Sequence, residues 1–157
     1  MTSNTEAPKF NQARVQRGRD IYNLCSAISK ESMKRKQAKL GTIGLSAGMA
    51  GFILVVGDRE DLTLSDVAKA LRVETATLSS LAVRMERDGL LIRQPSQKDK
   101  RAMLLCLTPR ARELSQQADM IVSVELADVT YGLSELEQIQ LIKSLEQVLQ
   151  NFDDFSM

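Results

Sequence analysis

The sequence predicts a mainly α-helical chain with one small β-hairpin, and three observations carry that expectation. Apolar residues recur at three- and four-residue steps over most of the chain, the spacing of one helix face. Cap and stop residues cut that pattern into six segments. One stretch only, 90–107, changes period: two short apolar runs flank a polar loop, which is the signature of a hairpin.

Residues 1–9 are polar and read as a flexible arm. From 10 to 40 the pattern is helical, with Ile21, Leu24, Cys25 and Ile28 on one stripe. Lys34, Arg35, Lys36 and Lys39 crowd its last turns, where the helix dipole favours positive charge. Gly41 and Gly44 end it. Residues 45–56 form a second, mostly buried helix with Ser46 as N-cap. Gly48 and Gly51 inside it point to close approach by a neighbour. After the loop 57–61 and a short extended piece at 62–63, residues 65–71 make a short helix with Ser65 as cap and Val67, Ala68 and Leu71 turned inward. A tight turn at 72–74 leads to a helix over 75–88, with Leu78, Leu81, Ala82 and Met85 as its apolar stripe and Gly89 as a left-handed cap.

Residues 90–93 and 102–107 are the two strands of the hairpin, and the loop 94–101 is its basic tip. Thr108-Pro109 opens a long helix to about residue 130, threonine as cap and proline at the first position. Gly132 ends that helix. Ser134 and Glu137 then form a capping box for a last helix to about residue 152. Its apolar positions (Leu136, Ile139, Ile142, Leu145, Leu149, Phe152) cover more than one face, so it needs partners on two sides.

Composition narrows the function. The chain has 157 residues, 43% hydrophobic and 26% charged, as expected of a globular domain with its own core. Its longest apolar run is far short of the ~20 residues of a membrane span, and no leader pattern opens it, so a cytoplasmic protein without membrane contact is expected. It contains no histidine, which removes triad catalysis and histidine zinc sites. Cys25 and Cys106 are too few for a disulfide framework or a zinc knuckle. No phosphate loop or dinucleotide fingerprint is present. No enzyme, cofactor or metal site is therefore expected. The net charge of +1 conceals an asymmetry: residues 1–40 sum to +6, 41–61 to −2, 62–101 to +3 and 102–157 to −6. A basic segment in a balanced chain suits a protein that turns one face to a polyanion; solvated helix faces are the plainer alternative.

Short helix, turn, amphipathic helix and basic-tipped hairpin follow one another in the order of a winged helix-turn-helix. On the second helix Thr75, Ala76, Thr77, Ser79 and Ser80 are small or hydroxyl-bearing, which lets a helix enter the major groove of double-stranded DNA and meet base edges. Ser65 offers a hydroxyl and helix N-terminal amides to a phosphate. Arg84, Arg87 and Arg93 are within reach of the DNA backbone, and Lys98, Lys100 and Arg101 arm the hairpin. A long cation on a thin ribbon fits the narrow, electronegative minor groove. The alternative from another class is a winged-helix module that binds protein and not DNA; the hydroxyl face and basic wing speak against it.

Residues 74–108 resemble the core of the multiple antibiotic resistance regulator (MarR) family. The family pattern is Leu-Glu-x-x-Gly-Leu-(Ile/Val)-x-Arg, then Asp-x-Arg, then Leu-Thr. Here these stand as Met85-Glu86-Arg87-Asp88-Gly89-Leu90-Leu91-Ile92-Arg93, Asp99-Lys100-Arg101 and Leu107-Thr108. The helical order on both sides also fits. Two departures are Ser80, where the family often has arginine, and Ala111, where it often has glycine. The resemblance implies N- and C-terminal dimerisation helices (10–44 and 109–157) around a winged helix-turn-helix DNA-binding domain (45–108). It also implies a homodimer on a pseudo-palindromic operator, with Arg101 in the minor groove and Asp99 holding the wing. Most members are repressors released by a small-molecule effector or by oxidation.

Two kinds of sensing residue follow. Organic hydroperoxide regulators of the family carry a reactive cysteine on the first helix, and Cys25 lies there one turn after Tyr22, with Arg19 and Lys30 near in sequence to stabilise a thiolate. The helix over 45–56 has no tyrosine to match that subgroup, and a plain packing role for Cys25 is the alternative. Tyr22, Met49, Phe52 and Met120 offer instead a lining for an apolar or aromatic ligand, or ordinary core packing. Cys106, between Leu105 and Leu107, is expected to face away from the core.

Overall fold

The structure, a computed structural model, describes residues 11–154 except 98 and 100. The polar arm at 1–9, Lys98 and Lys100 lie outside the described residues. Six helices and one hairpin follow in the order α1 (Gln12–Gly41), α2 (Ala47–Val56), α3 (Leu64–Leu71), α4 (Thr75–Arg87), β1 (Leu91–Pro95), β2 (Met103–Leu107), α5 (Pro109–Val129) and α6 (Glu135–Asp154). The expected class, helical with a β-hairpin wing, is the one observed.

Most boundaries sit where side chains satisfy otherwise unpaired helix-end amides. Ser46 Oγ accepts from the Met49 N–H at 3.2 Å and Thr108 Oγ1 from the Ala111 N–H at 3.2 Å. At α6 the Glu137 carboxylate accepts from both the Ser134 N–H (2.8 Å) and hydroxyl (2.6 Å). Those donors hold the Glu137 carboxyl below its ordinary range.

At α3 the expected cap is replaced. Thr63, not Ser65, is the N-cap, in a box with Asp66 (Thr63 N–H to Oδ2, 2.8 Å; Thr63 Oγ1 to Oδ2, 2.7 Å). Ser65 is the second helical residue and is exposed. The physical reason is reciprocity: Thr63 has an acid three residues on, so two amides are satisfied together. The Thr63 hydroxyl and N–H also lower the Asp66 carboxyl from its ordinary value.

The hairpin is antiparallel, in register from Leu91 opposite Leu107 to Pro95 opposite Met103. β1 thus runs two residues past the expected end, through Gln94 and Pro95. Proline is tolerated there because β1 is an edge strand. The extended piece at 62–63 joins the other side of β2: Thr63 bridges Leu104, and the Leu105 N–H donates to the Leu62 carbonyl at 2.9 Å.

Every buried apolar residue among those described lies between Leu40 and Ala118. α2 is the centre of this core, contributing Met49, Ala50, Phe52, Ile53 and Val56. α3 adds Val67 and Ala68, α4 adds Leu78, Ala82 and Met85, and the hairpin adds Leu91, Leu105 and Leu107. The α2 glycines allow ordinary contact only. A Cβ at Gly48 would meet Leu81 at 3.6 Å and one at Gly51 would meet Leu71 at 3.5 Å, so neither position requires glycine for close approach. Outside this core the chain is open: no described residue of α6 is buried, and the apolar side chains of α1 before Leu40 are exposed.

Candidate nucleic-acid interface

The turn between α3 and α4 sets the pose of the second helix. Arg72 takes a left-handed conformation (φ 54°, ψ 44°), and the Val73 N–H reaches back to the Ala68 carbonyl at 3.1 Å. α4 then lies with Leu78, Ala82 and Met85 against the core. At about 100° per residue, Ala76, Ser80, Val83 and Arg87 fall roughly opposite that stripe. All four are exposed. Thr77 and Arg84 lie on one flank of this outward face. Thr75 and Ser79 lie on the other, with Ser79 half-buried. The outward face thus carries small side chains, hydroxyls, one valine and an arginine. The hydroxyl pattern in the sequence does not mark Val83, which its spacing of three residues from Ser80 places on this face.

The arginines divide. Arg84 Nε and Arg87 Nε lie 3.6 and 3.1 Å from the carboxylate of Asp88, on the surface, where water competes and release costs little. Arg93 is different. Its Nη2 lies 2.7 Å from Glu86 Oε2, it is half-buried, and its Nε is buried without a hydrogen-bond partner among the described residues. In this structure it braces α4 against β1.

At the wing tip, Asp99 organises the turn. Its Oδ1 accepts from the Arg101 N–H at 2.9 Å, its N–H donates to Ser96 Oγ at 3.3 Å, and its carbonyl accepts from the Ala102 N–H at 2.9 Å. The brace is to backbone, which leaves the Arg101 side chain exposed at the tip. Arg112 at the start of α5 reaches Asp58 (2.9 Å) and Glu60 (3.4 Å), tying the α2–α3 loop to the same body.

The sensing candidates are scattered. Phe52 is fully buried and Met49 nearly so, both in the core, whereas Tyr22 and Met120 are 72% and 71% exposed on α1 and α5. Two of the four thus lie in the core, and the other two stand on open helix faces. Cys25 is exposed on α1. Cys106 faces away from the core, accepting from Gln94 Nε2 at 3.0 Å, and partial burial pushes its thiol pKa up, away from reactivity. Among the described residues, no group of three or more acids or cysteines is placed to hold a metal ion. No described helix is long and apolar enough to cross a membrane.

Residues 43–102 match the sequence model of the MarR family. The chain is 28% identical over 138 residues to an organic hydroperoxide resistance transcriptional regulator from Bacillus subtilis (strain 168), spanning 87% of this chain and 89% of that one. Its fold is similar to that of S. aureus MepR in a MepR–DNA complex, with TM-score 0.76 and 26% identity over 83% of this chain and 96% of the other. It is also similar to a MarR variant from E. coli complexed with operator DNA, with TM-score 0.74 and 22% identity over 91% and 99% of the two chains.

Proposed function

We propose that the chain is a transcriptional regulator of the MarR family and not an enzyme, and that it is a repressor that binds a pseudo-palindromic operator as a homodimer. One observation carries the reading: a helix whose outward face carries small and hydroxyl-bearing side chains packs on the same core as a hairpin with an exposed arginine at its tip. In this reading Ala76, Thr77 and Ser80, flanked by Thr75 and Ser79, meet base edges. Ser65, Arg84 and Arg87 meet phosphates, and Arg101 enters the minor groove. The wing lysines, Lys98 and Lys100, add phosphate contacts. Arg93 contributes indirectly, through its pairing with Glu86. The stretches 10–44 and 109–157 supply dimerisation, which is supported by their exposed apolar faces.

Release has two readings. A small apolar or aromatic ligand would act through Tyr22 and Met120, the exposed pair of the four candidates. Oxidation at Cys25 is favoured by a specific observation: the thiol is exposed on α1, and a 28% identical relative is an organic hydroperoxide resistance regulator. The chemistry balances as transfer of one oxygen: thiol and hydroperoxide give sulfenic acid and alcohol.

The test is fluorescence anisotropy with a duplex from upstream of the chain's own gene, against a scrambled duplex, before and after one equivalent of organic hydroperoxide. Specific binding is expected in the reduced state. Loss of binding on peroxide, prevented by Cys25→Ser, supports the redox reading; unchanged binding removes it and leaves the ligand reading. Equal affinity for both duplexes sinks the operator reading.

A further inference from the structure

The outward face of α4 contains one residue that the hydroxyl-and-arginine description does not absorb. Val83 is 57% exposed, the most exposed of the large apolar residues described between 45 and 108. Nothing local explains it. A β-branched residue is a poorer helix former than alanine at an exposed position. It packs on no core, since Leu78, Ala82 and Met85 take the opposite side of the helix. The helices with broad exposed apolar faces are α1, α5 and α6, not α4.

Its placement is specific. Val83 follows Ser80 by three residues, a rise of about 4.5 Å along the helix axis, against about 3.4 Å between successive bases of one strand. Ala76 and Ser80, which precede it on the stripe, are small, so the isopropyl group stands beyond them. Thymine is the one base that carries a methyl group into the major groove, and apolar side chains are its natural contact. We propose that Val83 is a specificity-determining residue that packs on the 5-methyl group of a thymine in each half-site, one helical turn along from Ser80. This rests on the reading of α4 as the helix that enters the major groove.

The test separates the two. A randomised duplex library is selected with the wild-type chain and with Val83→Ser. The wild type is expected to enrich thymine at one position per half-site, and Val83→Ser to lose that preference while keeping the others. Replacing that thymine by deoxyuridine, which removes only the methyl, should weaken wild-type binding about fourfold per half-site, the scale of one buried methyl. It should leave Val83→Ser unchanged. Val83→Thr, which keeps the branch, checks that helix shape is not the cause, and circular dichroism checks the fold. A deoxyuridine penalty equal in wild type and variant, or absent in both, overturns the inference while leaving DNA binding intact. A library with no enriched sequence even for the wild type overturns the DNA-binding reading, and this inference with it.

Discussion

Arg101 and Arg93 are both cations near the hairpin, and their surroundings give them opposite roles. Arg101 is exposed, and among the described residues it is held through its backbone N–H to Asp99, not through its guanidinium. Arg93 is half-buried on Glu86. Arg101→Ala is therefore expected to weaken operator binding without altering the fold. If the side chain contacts phosphate, the salt dependence of log K falls by roughly 1 unit per lost contact; if it reads the minor groove, preference for A·T at the flanks erodes. Anisotropy titrations across a salt series measure both, and an unchanged affinity and slope would remove Arg101 from the interface. The sequence identified these cations but could not separate them. Whether an arginine is free depends on which acid the packed helix brings beside it, and Glu86 meets Arg93 only after α4 turns into β1.

Among the elements, the junction of α1 with α5 is where charge, burial and order meet. Glu125 of α5 is 1% exposed and is gripped by Arg35 Nε at 3.1 Å and by Lys39 Nζ, while Arg35 Nη2 also reaches Asp128 at 3.0 Å. Part of the sequence's charge asymmetry resolves here: the basic end of α1 faces acids of α5. Burial makes the cluster asymmetric. Removing Glu125 leaves two half-exposed cations that water can solvate, so Glu125→Leu should be close to neutral. Removing both cations leaves a buried, unpaired carboxylate, and Arg35→Met with Lys39→Met should cost about 3–5 kcal/mol. Urea unfolding of the two variants measures the difference, and equal losses would mean that the pairing is not what stabilises the junction. The boundaries of these helices were readable in the sequence because Ser46, Thr108 and Ser134 act locally as caps. The Thr63 cap and the Glu125 cluster were not. The first turns on a choice between neighbouring hydroxyls decided by Asp66, and the second on a contact ninety residues away in sequence.

The whole molecule is open in a way that a folded monomer of this mass is not. Its accessible surface is 12182 Å², where a compact monomer of 17.4 kDa would expose roughly 7900 Å². Most of the exposed large apolar residues lie on helices flanking the core, among them Ile21, Tyr22, Leu24 and Ile28 on α1, and Leu136, Ile139, Ile142 and Leu149 on α6. The width of the α6 pattern announced in the sequence that this helix needs partners, and this chain alone does not provide them. An interface that covers these faces would fall in the range of about 2000–5000 Å² typical of obligate dimers. The purified chain is accordingly expected to sediment as a dimer at micromolar concentration. Ile142→Glu places a charge in the middle of the α6 face, where no described core residue is disturbed, and should shift the chain toward monomer. Operator affinity should then fall about 10²- to 10⁴-fold, because two linked winged units act at a high effective concentration that separate ones lack. Affinity for a single half-site should stay within a few-fold, since α4 and the hairpin are untouched. A variant that remains dimeric, or one that turns monomeric yet keeps full operator affinity, would show that these helices do not join the two DNA-reading units.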